Sequence, residues 1–306
     1  MLLIHKAKGE NKLSLIEFLQ QLINGVSLGS VYALIALGYT MVYGIIGLIN
    51  FAHCDIYMVG AYIGFFVATY ARLPFIPALL IAMLGSALLG VVIERVAYKP
   101  LRRTTNINLL ITAIGVSLLL ENGFNAMFGG NPRTYPGDIL KQQTVMFGPI
   151  RSDALHLIIL GISLLLLVLL NLFVNHTKMG RAMRATSLDK DAAALMGINV
   201  NTTISMTFAI GSALAGAAGM LVAILYSSLD PYMGMMPGIK SFVAAVLGGI
   251  GLIPGAFVGG IILGVVETFM AAINSKIAGA VAFVILIVIL IIKPTGLLGK
   301  AVKEKV

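Results

Sequence analysis

The stretch ALHLIILGISLLLLVLLNLFV, residues 154–174, contains no Asp, Glu, Lys or Arg. An α-helix rises about 1.5 Å per residue, so this run crosses the roughly 30 Å of a bilayer's hydrocarbon without presenting a charge to it. Outward from it, seven further apolar stretches appear, at 18–43, 56–71, 73–93, 107–128, 202–226, 241–266 and 277–292. The whole chain agrees: 59% of residues are hydrophobic, 11% are charged and the mean hydropathy is +0.99. A soluble domain is about half apolar and a quarter charged. These blocks predict an all-α, polytopic integral membrane bundle of about eight to ten transmembrane segments, with residues 1–306 as one transmembrane domain. They leave no room for a separate soluble catalytic domain.

Twenty-one Lys and Arg against twelve Asp and Glu give a net charge of +9. On a soluble chain that excess suggests nucleic acid. Here it reads as topology, because basic residues near span ends mark the cytoplasmic side. Lys99, Arg102 and Arg103 follow the third stretch; Lys178, Arg181, Arg184 and Lys190 follow the fifth; Lys293, Lys300, Lys303 and Lys305 form the tail. All three groups are expected in the cytoplasm. The 129–153 and 227–237 loops, mixed or acidic, are expected outside. The single cysteine, Cys54, excludes a disulfide framework within the chain and a Cys-based metal cage. Lys6 and Lys8 precede no short apolar core with a cleavage site, so no removable signal peptide is expected and the first helix serves as an uncleaved one.

Parity then constrains the second half. Between Lys190 and the tail the chain needs an even number of crossings, yet only three apolar stretches are available. The stretch 241–266 holds seven glycines and Pro254, which free backbone groups that lipid cannot satisfy. It is therefore expected to break near GGIGLIPG, Gly248 to Gly255, into two half-length helices that enter from outside and return there. A second broken or re-entrant segment is expected near 44–55, where single crossings otherwise leave Lys6, Lys8 and Lys12 outside.

The 176–201 loop, HTKMGRAMRATSLDKDAAALMGINVN, carries a short helix with its own punctuation. Ser187 is placed to cap its start, Asp189 and Asp191 suit the positive end of the helix dipole, and Gly197 ends it. Leu188, Ala192 and Leu195 fall on one apolar face. So short a helix is not stable alone, and that face needs a partner. The alternatives are a cytoplasmic protein or the chain's own spans.

Asn50, His53, Cys54 and Asp55 form a polar cluster among apolar residues, a costly arrangement that marks candidate function. Histidines at 5, 53, 156 and 176 show no ligand spacing, so no metal is expected. Non-helical backbone lining a water-filled path is one reading of the cluster, and a helix cap at the membrane surface the other. Asn50, His53, Asp55, Glu121, Gly249 and Gly251 are the candidate path residues. Glu267 and Lys240 also lie near span ends, where snorkelling to the interface is the expectation. Gly211, Ala215 and Gly219, like Gly251, Gly255 and Gly259, are spaced by four and form stripes for close helix approach. With no Trp, tyrosines are expected to supply any interfacial belt. No GxxxxGK[ST] sequence occurs, so nucleotide hydrolysis belongs to another chain.

Four long strings carry a family resemblance: ALIALGYTMVYGIIGLINFAH (Ala33–His53), ERVAYKPLR (Glu94–Arg102), MGRAMRA with DAAALMGIN (Met179–Asn199), and AAVLGGIGLIPGAFVGGIILG (Ala244–Gly264). With them the chain resembles LivH-type permease subunits of bacterial branched-chain amino acid ABC importers. That resemblance implies a non-catalytic, multi-pass subunit of the bacterial inner membrane that moves leucine, isoleucine and valine. ATP hydrolysis would occur in two cytoplasmic ATP-binding subunits of the LivG and LivF type. It further implies a sibling LivM-type permease and an extracytoplasmic amino-acid-binding protein, with no cofactor and no nucleic acid. Residues 176–201 would be the cytoplasmic coupling loop, with Leu188, Asp189, Asp191, Ala192, Ala193, Leu195 and Gly197 contacting the ATP-binding subunits. Related permeases carry urea or short amides, the nearest alternative; an ion-coupled secondary carrier is a further one, and a membrane enzyme would need a convergent acid or His constellation that the sequence does not offer. Cys54 and Asp55 stand where the family usually reads Gly and Glu, and Lys99 where it reads Arg.

Overall fold

A computed structural model describes residues 15–47, 49–102, 104–136, 144–147 and 150–299. Eleven helices form the described bundle: α1 (Leu15–Ile46), α2 (His53–Thr69), α3 (Phe75–Ile93), α4 (Asn106–Phe128), α5 (Ala154–His176), α6 (Lys178–Leu188), α7 (Lys190–Leu195), α8 (Val200–Leu225), α9 (Met235–Gly248), α10 (Ile253–Ile273) and α11 (Ser275–Ile292). Seven of them are long and apolar enough to cross a membrane, with α3 prolonged by a π turn and a 3-10 turn to Leu101. The shorter α2 and α9 complete the bundle. One antiparallel hairpin, β1 (Thr144–Phe147) with β2 (Ile150–Asp153), interrupts the helical pattern in the 129–153 loop.

Two helices form the centre. Most of the span of α1 (83%) and of α8 (78%) is buried, against 11% for α4 and 17% for α11. Small residues permit this: Gly25, Gly29 and Ala33 of α1 meet Val265, Ile261 and Gly260 of α10 backbone to backbone. The predicted α8 stripe packs as expected, with Gly211 against Gly38 of α1 and Gly219 against Tyr57 and Ala61 of α2. Without a solvent-driven hydrophobic effect between lipid-embedded helices, such close approach supplies much of the packing energy. The outward faces of α3, α4, α5 and α11 remain apolar and exposed.

The described parts of all three basic loops lie at one end of the bundle. Arg102 donates to Asn201 at the start of α8 at 2.7 Å, Lys190 Nζ donates to the Ile46 carbonyl at 3.3 Å, and the tail amides of Leu297 and Leu298 donate to the carbonyls of Leu247 and Gly248. The positive-inside rule assigns that end to the cytoplasm. At the opposite end Phe18 of α1 meets Phe269 of α10 at 5.1 Å between centroids, and Ser27 donates to the His156 carbonyl at the start of α5. Helix α1 therefore runs inward as a single crossing from Leu15; Lys6, Lys8 and Lys12 lie outside the described residues.

Both predicted breaks occur, but not as expected in detail. After Gly47, in left-handed conformation at φ +80°, the chain turns back into the bundle, and α2 starts where His53 packs on Gly38. Gly38 is two turns above Ile46, about 12 Å at 1.5 Å per residue. Residue 54 is thus helical, and Cys needs no glycine-like backbone angle there. The break in 241–266 falls at 249–252, with Gly249 and Gly251 at φ +111° and +91°. It lies at the cytoplasmic end rather than within the membrane, because the tail packs on it. Only α9, with 14 residues, is short; α10 has 21 and crosses fully, so the expected pair of half-helices is corrected to one short helix and one span. Helix α9 starts inside the bundle, where Gly234 and Gly238 press on Cys54. Gly251 accordingly belongs to the turn and not to a helical stripe.

The tyrosines depart from expectation as well. Tyr32, Tyr39, Tyr57, Tyr62, Tyr98 and Tyr135 are buried, while Tyr70, Tyr226 and Tyr232 are exposed. A phenol ring fills interior volume and keeps a polar handle, and Tyr39 and Tyr98 use theirs on Cys54 and Asn50, each at 2.7 Å.

Candidate functional site

The 176–201 loop folds as two helices. Thr177 caps α6, accepting from the Gly180 amide at 3.0 Å, and Arg184 donates back to the Val174 carbonyl and, at 3.2 Å, to Asn175 Oδ1. The loop is thereby pinned to the end of α5. Asp189 is the cap of α7, accepting from the amides of Asp191 and Ala192 at 2.8 and 2.9 Å. Ser187, expected in that role, lies in the last turn of α6 and donates to the Arg184 carbonyl. Asp189 has the advantage because its backbone leaves the helical region there, which lets a side-chain oxygen reach the next amides. Gly197 ends α7 at φ +82°, as its position predicts.

One face of α7 is held and the other is free. Ala193 is buried, whereas Leu195 is 89% exposed, with Ala192 and Met196 exposed beside it; Leu188, expected on the same helix face, is equally exposed but ends α6 and is separated from α7 by the extended backbone of Asp189. Lys190 links this unit to the last carbonyl of α1. Burial and the neighbouring Arg102 lower the pKa of its ammonium from the ordinary lysine value.

The path candidates separate into three groups. Asn50, His53 and Asp55 are all buried. Asn50 accepts from Tyr98, His53 packs on Tyr39 with ring centroids 4.8 Å apart, and Asp55 faces Ser117 and Glu121 of α4. Asp55 and Glu121 are brought together, an unpredicted meeting of α2 and α4. Gly251 belongs to a second group: with Gly44, Gly47, Phe242, Ser187 and Thr295 it lines a cavity of about 1050 Å³ at the cytoplasmic end. Asn50, His53, Asp55 and Glu121 do not border that cavity. Gly249 lies beneath it, its would-be Cβ 3.0 Å from the Gly299 amide and 3.2 Å from the Thr295 carbonyl.

Two polar arrangements escaped the sequence reading. Glu94, fully buried at the end of α3, pairs with Arg102 and accepts from Ser205 of α8 at 2.5 Å. In ERVAYKPLR it reads as one more charge in a basic loop; the π turn that begins there carries it inward. Lys240 and Glu267, expected to snorkel apart, form an ion pair at 2.5 Å with both side chains 12% exposed. Tyr32 donates to the other Glu267 oxygen at 3.0 Å.

The sequence model of the family described as "Branched-chain amino acid transport system / permease component" matches residues 21–290, spanning both central helices, both breaks and the α6–α7 loop. This chain belongs to that family. Among curated relatives, the permease protein BraD of Pseudomonas aeruginosa is 43% identical over 302 residues, covering 94% of this chain and 98% of its own. The LivH permease proteins of Salmonella typhimurium and Escherichia coli are each 42% identical at the same coverage. All three are named as components of high-affinity branched-chain amino acid transport systems. The resemblance read from the four strings holds, and as a branched-chain amino acid transport permease the chain is a multi-pass membrane protein.

Proposed function

We propose that this chain is the LivH-type membrane subunit of an ATP-driven importer of leucine, isoleucine and valine in the bacterial cytoplasmic membrane. In this reading residues 1–306 act as one permease domain, and 176–201 is its coupling loop. The observation that carries it is the α6–α7 junction: a six-residue helix capped by Asp189 and anchored through Ala193 and Lys190, which with the end of α6 offers Leu195 and Leu188 almost entirely to the cytoplasm. Exposed apolar faces of this kind mark interaction sites, and the partners that fit are two ATP-binding subunits of the LivG and LivF type. A sibling LivM-type permease would cover part of the exposed apolar helix surface, and an extracytoplasmic binding protein would deliver the substrate.

The mechanism follows from connectivity. Closure of the ATP-binding subunits moves α7, and with it α6 and the end of α1. Gly44, Gly47 and Ser187 of those elements line the cytoplasmic cavity together with Gly251, so the movement changes the shape of that cavity. Its volume of about 1050 Å³ lies at the upper end of ordinary small-molecule sites. Buried Asn50, His53 and Asp55, with half-buried Glu121 beside them, anchor the re-entrant start of α2 rather than lining this end of the path. The chain itself performs no covalent chemistry.

Substitution Leu195→Asp places a charge on the docking face without touching the bundle. ATP-coupled leucine uptake should be abolished and the ATP-binding subunits should no longer co-purify, while the chain stays in the membrane. Undiminished uptake refutes the coupling assignment. Uptake by the native complex that persists without ATP and collapses with the ion gradient refutes the importer reading in favour of a secondary carrier.

A further inference from the structure

The buried ion pair Lys240–Glu267 lies behind a second cavity, of about 500 Å³, at the extracytoplasmic end. The outer ends of α1, α5, α8 and α10 form its walls. Glu267 lines it, together with the amides Gln21 and Asn24 and the apolar side chains Leu28, Leu155 and Leu225, while His156, Tyr226 and Thr268 add polar groups to the wall. Lys240 and Tyr32 do not; they hold Glu267 from the protein side. Buried ion pairs contribute little to stability, since desolvation offsets the attraction. This pair needs another reason to exist.

We propose that this cavity is a reception site for the amino acid zwitterion, in which Glu267 accepts the α-ammonium, Gln21 and Asn24 donate to the α-carboxylate, and the leucine-lined wall takes the branched side chain. The inference rests on the importer reading and extends it to named substrate contacts. Each carboxylate oxygen has two lone pairs. Lys240 occupies one on Oε1 and Tyr32 one on Oε2, which leaves acceptor capacity for a third donor arriving from the cavity. Lys240 pairs with the carboxylate, and Tyr32 fixes its orientation. Gln21 and Asn24 lie three positions apart on α1 and so share a face. That face is close to Glu267 because Gly25 packs directly against Val265 and Thr268. A carboxylate acceptor, amide donors and leucine side chains complement the ammonium, the carboxylate and the aliphatic side chain of a branched-chain amino acid. The volume of 500 Å³ sits within the range of small-ligand sites.

The test uses the assembled importer in detergent, without its binding protein, titrated with radiolabelled L-leucine. Glu267→Gln alone strands a buried ammonium, so the variant to make is the double substitution Lys240→Met with Glu267→Gln, which removes both charges. Leucine affinity should fall at least tenfold, while 4-methylpentanoate, which has the same side chain and carboxylate but no ammonium, binds wild type and variant alike. The second variant, Gln21→Leu with Asn24→Leu, leaves the ion pair intact; it should weaken leucine binding and spare isopentylamine, which lacks the carboxylate. Leucine binding unchanged in either folded variant, or no saturable leucine binding by the wild-type complex, overturns the proposal. ATP-driven uptake by the same wild-type complex in vesicles judges the importer reading separately.

Discussion

Substituting Gly29 by alanine tests the α1–α10 packing on which the outer cavity depends. A Cβ at residue 29 would lie 2.7 Å from the Ile261 Cα, 2.8 Å from the Gly260 carbonyl oxygen and 2.9 Å from that of Ile261. All three are backbone atoms, so no side-chain rotation relieves the clash. Comfortable contact begins at about 3.5 Å, and α10 must therefore retreat from α1 by roughly 0.8 Å. Overpacking of this kind costs about 1–3 kcal/mol, a loss of about 5- to 150-fold in the folded-to-unfolded ratio. At about 2–4 °C per kcal/mol for chains somewhat shorter than this one, the melting temperature of the detergent-solubilised protein should drop by about 2–10 °C. Gly161→Ala is the control, because Gly161 sits in α5 with nothing within 4 Å of its would-be Cβ. There alanine improves helix propensity by up to about 1 kcal/mol, so the same chemical change should be neutral or stabilising. If Gly29→Ala melts with or above the wild type, the α1–α10 contact described above is wrong. The seam also carries Gln21 and Asn24 on one side and Glu267 on the other, so a displaced α10 should weaken leucine binding at the outer cavity too.

Arg102→Ala should leave the Glu94 carboxylate buried with only Ser205 as partner and cost about 3–5 kcal/mol, read as lost monodisperse protein on gel filtration; adding Glu94→Gln should restore most of the yield, and equal yields from both variants would show that the pair is dispensable. Gly251→Ala forces an L residue to φ +91° with no steric contact below 3.9 Å, so thermal unfolding should report a loss of about 1–3 kcal/mol from backbone strain alone. A melting temperature equal to wild type for Gly251→Ala would mean that the turn relaxes freely.

Membrane residence, the three basic loops and the position of the second break were legible because each depends on local composition. A run such as 154–174 is long and uncharged whatever surrounds it, and Gly249 and Gly251 announce a turn by type. The α7 helix was legible for the same reason, its end set by Gly197. Its cap was misread because Ser187 and Asp189 both qualify by residue type; the choice depends on which one leaves helical geometry. The depth of the 249–252 turn was misread because apolarity is the same at the middle of a bilayer and beneath a docked tail.

Charged residues were the hardest to place. Lys240 and Glu267 are 27 positions apart, and nothing in either neighbourhood shows that α9 and α10 fold back to join them. Asp55 and Glu121 meet only because α2 starts inside the bundle beside α4. Glu94 looks like surface charge until the π turn carries it under Arg102. Residue by residue, the sequence determined that this protein spans a membrane, where its chain breaks and where the short helix of the 176–201 loop forms, since those properties follow from the transfer energy and backbone freedom of each residue. Only the tertiary structure decided which carboxylates pair, which glycines touch and where the two cavities open, because such contacts join positions far apart in the chain and their energies exist only once the helices have packed.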